Sequence, residues 1–226
     1  MKHFYSTRPK IQLVNMSIAE QVKEYIDSKP SIKSCLKLDL INFSSLSRLI
    51  AEENHLDKKS SFDAILVAIR RAQERTKVSP DHDSRIRKIL RDSKLEIKTG
   101  ICICVLSSKI SDSGLAKLLE KIKDEGENYH LIQGSQTITI YTSSQFMKKI
   151  ESTFSPYLLY SKKSLVQINL RTSDEIMKAQ GVMGFVFSLL GENNINVVDC
   201  ITSWTDNILI IEEKDVAKSI SLLKFE

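Results

Sequence analysis

The side chains able to do chemistry in this chain are few and scattered. Histidines stand at 3, 55, 82 and 130 in unrelated segments, none beside a serine or cysteine placed as a nucleophile. Cysteines stand at 35, 102, 104 and 200 with no C-x-x-C pair, so neither zinc-ligand spacing nor a disulfide framework is present. Cys102 and Cys104, two apart in the apolar run Ile101–Leu106, share one face of an expected strand and read as core packing. Asp81-His-Asp83 could be drawn as a metal cluster, but directly after Pro80 it reads as a polar helix entrance. There is no P-loop and no G-x-G-x-x-G, and seven glycines leave little for loops that cradle phosphate. No catalytic residue, metal or cofactor is expected, and the chain reads as a non-enzyme.

Charge offers a second kind of site. Residues 1–98 hold 20 Lys and Arg against 13 Asp and Glu, whereas residues 99–226 hold 13 against 15. A basic front half can follow a phosphate backbone or simply be a solvated face. Within it, Lys58, Lys59, Arg70, Arg71, Arg75 and Lys77 gather around one expected helix and are the candidate nucleic-acid contacts, with DNA the alternative partner. A second basic cluster, Arg85, Arg87, Lys88, Arg91 and Lys94, falls on an expected linker helix.

The elements that must position these groups follow from periodicity. With 42% apolar and 27% charged residues the chain carries enough Ile, Leu and Val to fold rather than stay disordered. No apolar run nears the roughly 20 residues that span a bilayer, and the polar start Met1–Lys10 lacks a signal-peptide core, so a cytoplasmic protein without membrane contact is expected. Ser17-Ile-Ala-Glu20 fits a capping box and predicts a helix over 18–28, ending before Lys29-Pro30. Further helices are expected from Ser44 or Ser45, with Leu46, Leu49 and Ile50 apolar, from Ser60 or Ser61 through Ala72, and over 84–94 with Ile86, Ile89 and Leu90 apolar. This module, 1–95, is expected to be helical and helix-turn-helix-like.

Beyond residue 96 the order β-α-β-β-α is expected twice, over 96–161 and 162–226. The second copy reads as a strand at 166–170, a helix at 182–192, a hairpin around Thr205-Asp-Asn207, and a last helix capped by Asp215. In that copy Gln180-Gly-Val-Met-Gly-Phe-Val-Phe-Ser-Leu-Leu-Gly-Glu-Asn-Asn-Ile-Asn-Val-Val198, then Ile201-Thr-Ser203 and Ile211-Glu-Glu-Lys-Asp215, resembles the signature of ACT domains, especially those of aspartate kinases. Gln180 stands where proline is common, Gly191 for the usual alanine, and Asn194 for the glycine before Ile-Asn-Val. The fold class implied is α+β: a helical module followed by two tandem ferredoxin-like βαββα(β) ACT-type domains. ACT domains end in a fourth strand, yet only Lys224-Phe-Glu226 follows the last helix. That strand is expected to be very short or absent, while Pro156–Tyr160 could supply the one belonging to the first copy.

A glycine before a helix lets a ligand approach the backbone, and the exposed N–H groups of the first turn can hold a carboxylate. The candidate ligand residues are therefore Gln180, Gly181, Val182 and Met183, with Asn196, Val197, Val198 and Ser203 on the next strand facing them. The same residues would serve equally well as a tight turn and a strand start in a domain that only dimerises. The resemblance implies a regulatory, non-catalytic protein that forms a homodimer or higher oligomer and senses a small molecule such as an amino acid. A DNA-binding regulator with ACT-like dimerisation domains, or a regulatory subunit of an amino-acid biosynthetic enzyme, are the alternatives.

Overall fold

A computed structural model describes residues 16–57, 61–76 and 81–225. The chain divides into two compact units, Met1–Pro80 and Asp81–Glu226.

In the first unit the described helices are α1 (Ile18–Asp27), α2 (Pro30–Lys37), α3 (Phe43–Glu53) and α4 (Phe62–Thr76). The capping box forms: the Ser17 hydroxyl oxygen accepts from the Glu20 N–H, and the Glu20 carboxylate accepts from the Ser17 N–H at 2.8 Å. The structure adds α2, which the sequence reading omits because it treats Pro30 only as a stop. Proline is equally suited to the first helical position, where its missing N–H is no loss. Asn42 caps α3 by accepting from the Ser45 N–H at 3.0 Å. Val22, Ile26, Leu36, Leu46, Ile50, Ile65 and Ile69 form the core. Leu49, expected on the apolar stripe of α3, is exposed instead.

The second unit opens with α5 (Asp81–Arg91) and continues β1 (Lys94–Ser107), α6 (Asp112–Asp124), β2 (Tyr129–Gln133), β3 (Thr137–Ser143), α7 (Met147–Thr153), β4 (Leu158–Arg171), α8 (Val182–Glu192), β5 (Val197–Ser203), β6 (Asp206–Glu212) and α9 (Val216–Leu223). The order β-α-β-β-α thus occurs twice after α5. The boundary expected near residue 95 moves to Pro80–Asp81, and the expected linker helix is no linker. Ile86, Ile89 and Leu90 of α5 are buried with Val182, Val186 and Leu190 of α8 and with Val166, Ile168 and Leu170 of β4. Asp215 occupies the cap position of α9 but makes no side-chain cap hydrogen bond there, since a 3-10 turn over Glu213–Asp215 leads into the helix.

The strands of the second unit form one antiparallel sheet in the order β2-β3-β1-β4-β6-β5. Both copies share its two 14-residue strands, β1 and β4. Residues 101–107 of β1 pair with β3 as the first strand of copy one, while residues 94–98 pair with Gln167–Arg171 and supply the fourth strand of copy two. Reciprocally, residues 165–171 of β4 pair with β6 as the first strand of copy two. Leu158, Tyr160 and Ser161 pair with Leu106, Val105 and Cys104 as the fourth strand of copy one. The strand expected to be missing at the carboxy terminus is therefore taken from the front of the other copy. Boundaries at 95/96 and 161/162 cut through β1 and β4.

Each shared strand is broken at its seventh residue. Gly100 has φ 68° and Ser164 φ 61°, and the β1–β4 register slips on either side of Ile101. These two bulges curl the sheet. On its helix face Cys102, Cys104, Leu106, Ile138 and Ile140 meet α6 and α7, while Val166, Ile168, Leu209 and Ile211 meet α5, α8 and α9. The opposite face carries Ile101, Ile103, Tyr141, Leu165, Ile208 and Ile210, buried as one inner cluster. Tyr141 on β3 and Asp199 on β5 lie four strand steps apart, about 19 Å in a flat sheet at ~4.8 Å per step, yet their side chains are hydrogen-bonded. The two half-sheets therefore fold over each other with this cluster between them.

Candidate functional site

Gly181 caps the start of α8 at φ 81°, a left-handed conformation that a side chain would strain. No side chain caps this end, and no acidic residue lies in the first turn, so the helix presents N–H groups and positive dipole without internal compensation. A cleft of about 200 Å³ adjoins it, lined by Arg85 and Ile86 of α5 and by Lys178, Ala179 and Gln180 of the preceding turn. Its described lining holds two cations and no carboxylate, so the potential there favours an anion. Sequence reasoning singled out Gln180 and Gly181 but missed Arg85 and Lys178. Arg85 was visible as part of the second basic cluster, but its place beside Gln180 depends on α5 docking against α8.

The expected ligand residues separate into two groups. Gln180, Gly181, Val182 and Met183 lie at the amino-terminal end of α8, and Val182 is buried. Ser203 belongs at the same end of the sheet: it pairs with Asp206, which pairs with Arg171 at the end of β4. Asn196, Val197 and Val198 lie at the other end. There α8 closes with the Ile195 N–H bonded to the Leu190 carbonyl at 3.0 Å and Asn194 left-handed at φ 59°, and the chain turns directly into β5. Eleven residues of helix separate the two groups by about 16 Å. The expectation that Asn196–Val198 face the Gly181 loop within one chain is thus corrected: α8 stands between them.

Of the candidate nucleic-acid residues, Arg70, Arg71 and Arg75 are exposed on α4. Lys58, Lys59 and Lys77 lie outside the described residues.

Other polar groups of the second unit are structural in their chemistry. Cys102 and Cys104 are both fully buried. The hydrogen bond that the Cys104 thiol donates to Cys102, and then burial, push that thiol far up, which suits packing and not nucleophilic attack. Burial, and then the Asp199 carboxylate, push the Tyr141 phenol well above its ordinary range. Glu212 accepts from Lys162 at 2.5 Å and from Lys214 at 2.6 Å, and these two ammonium groups pull its carboxyl down to about 2.

No protein-family profile and no curated protein sequence matches the chain. Solved structures do. Clostridium acetobutylicum aspartate kinase superposes with a TM-score of 0.48 at 14% identity, over 57% of this chain and 33% of that one. The regulatory subunit of aspartate kinase from Thermus thermophilus, ligand-free, gives 0.46 at 12% identity over 57% and 93%, and that from Thermus flavus 0.47 at 13% over 58% and 97%. The resemblance is to the regulatory part of aspartate kinases. This chain spans a third of the length of the C. acetobutylicum enzyme. The helix-turn-helix expectation draws no support from these matches.

Proposed function

We propose that Asp81–Glu226 is a non-catalytic regulatory unit of two interlocked ACT-type domains, which pairs with a second copy of the chain and takes a small carboxylate ligand such as an amino acid. The observation that carries this reading is the uncapped, left-handed Gly181 entrance to α8 beside the Arg85–Lys178 cleft. A carboxylate seated there accepts from the first-turn N–H groups and lies within the field of both cations.

The split of the candidate residues supports the pairing. β5 is an edge of the sheet, and an edge strand offers unpaired N–H and C=O groups to another chain. Antiparallel pairing of two β5 edges sets Val197 of one copy opposite Ser203 of the other. That brings Asn196–Val198 of the second copy to the Gly181 end of the first, so a site divided within one chain is completed across two. The ligand state would pass to the helical unit as a shift between dimer arrangements.

Thermal denaturation against each of the twenty amino acids tests the reading. At a hundredfold excess over its Kd, a ligand confined to the folded state stabilises by about 2.7 kcal/mol, a rise of ~5–10 °C in Tm, and Gly181→Val abolishes the rise. A flat profile overturns the ligand, and a sedimenting monomer at all concentrations overturns the shared site. The exposed Arg70, Arg71 and Arg75 favour a second reading in which α4 binds DNA. It requires salt-sensitive binding that weakens when all three become alanine.

A further inference from the structure

We propose that Tyr141 and Asp199 form a latch that holds the two half-sheets closed over each other, with the bulges at Gly100 and Ser164 as its hinge. This inference concerns how the two copies close, and it stands whether or not a ligand binds at Gly181. Among the described residues β1 and β4 are the two strands that cross from one half-sheet to the other, and each has a left-handed residue at the crossing. The packing between the halves is otherwise mostly apolar. Ile101, Ile103, Leu165, Ile208 and Ile210 give it area but little directional preference.

Tyr141 is 1% exposed in that layer, and its hydroxyl donates to the Asp199 carboxylate, 58 residues on in sequence. A second local device aims the acceptor. β5 pairs Val197 with Ile211 and Asp199 with Ile210, so Val198 is an extra residue. Such a bulge turns two consecutive side chains to one face, which here sends both Val198 and Asp199 inward. The Asp199 carboxylate also accepts from the Cys200 N–H at 2.7 Å, which fixes its orientation. Further side-chain contacts among the described residues join the copies, the Lys162–Glu212 ion pair being one. The His130 ring Nε2 meets Gln167 Oε1 at 3.1 Å, and Lys98 donates to Glu127 at 2.7 Å. Both groups at the Lys98–Glu127 contact retain solvent, whereas opening the halves would strip a buried phenol of its charged acceptor.

Hydrogen–deuterium exchange of the full chain, wild type against Tyr141→Phe, tests the latch. Loss of one hydrogen bond to a charged acceptor should raise the opening equilibrium about ten- to hundredfold, and exchange at amides of residues 137–143 and 197–203 should speed up accordingly. Amides inside α6 and α8, which stay packed within their own copies, should keep their rates. Asp199→Asn retains an acceptor oxygen and should show a smaller rise at the same segments. Wild-type rates in β3 and β5 of both variants would overturn the latch. So would an equal acceleration across α6, α8 and the strands, which marks general loss of stability.

Discussion

Replacing Gly100 by alanine and Ser164 by glycine should have opposite effects, although the two residues occupy matching positions in β1 and β4. A Cβ at Gly100 would meet Ser144 Oγ at 3.9 Å, which is ordinary contact. The cost of Gly100→Ala therefore comes from the backbone alone. Holding an L-residue at φ 68° costs about 1–2 kcal/mol. Alanine recovers about 0.4–1 kcal/mol by restricting the unfolded chain. The balance is a destabilisation of roughly 1 kcal/mol, a fall of ~2–4 °C in Tm for a unit of this size. At Ser164, φ 61°, the same terms enter with reversed sign, so Ser164→Gly should stabilise by about the same amount. Urea unfolding of both variants, with unchanged m-values, measures the pair. A neutral or stabilising Gly100→Ala together with a destabilising Ser164→Gly would refute the left-handed hinge.

Two other outcomes are expected. Leu90→Ala should cost the second unit about 2–5 kcal/mol, because α5 contributes to its core; a urea midpoint equal to wild type would return α5 to a linker role. Glu212, held down at about 2 by Lys162 and Lys214, contributes stability that is complete above its unfolded value near 4.5 and disappears as pH falls towards 2. Glu212→Gln should therefore flatten the acid limb of the stability–pH curve between those values, and an unchanged limb would contradict the assignment.

Local signals carried much of the fold. Ser17 and Glu20 announced α1 because both partners of the cap lie within one turn. Val182 and Val186 marked the buried face of α8 because the helical period repeats in sequence. What escaped was non-local. Lys94–Lys98 shows no pattern that identifies it as the fourth strand of a copy beginning near residue 165, since that role is set by pairing with Gln167–Arg171. The apolar stripe of α5 was legible, but a stripe does not name the core it enters. At the site, Gly181 could be read from its place before a helix. The error over Asn196–Val198 came from treating a signature as though its residues met, when the length of α8 holds them apart. Tyr141 and Asp199 gave no sequence signal, because their meeting depends on the curl imposed at Gly100 and Ser164.

The exchange of edge strands between the copies has a consequence for biosynthesis. Residues 94–98 leave the ribosome early but find their partners only after Gln167–Arg171 follow, more than sixty residues later. Until then the nascent segment carries Leu95 without its eventual cover. Copy one, whose strands all lie within residues 101–161, can close as that stretch emerges, whereas copy two must wait for β6 and then recapture the 94–98 segment made before copy one.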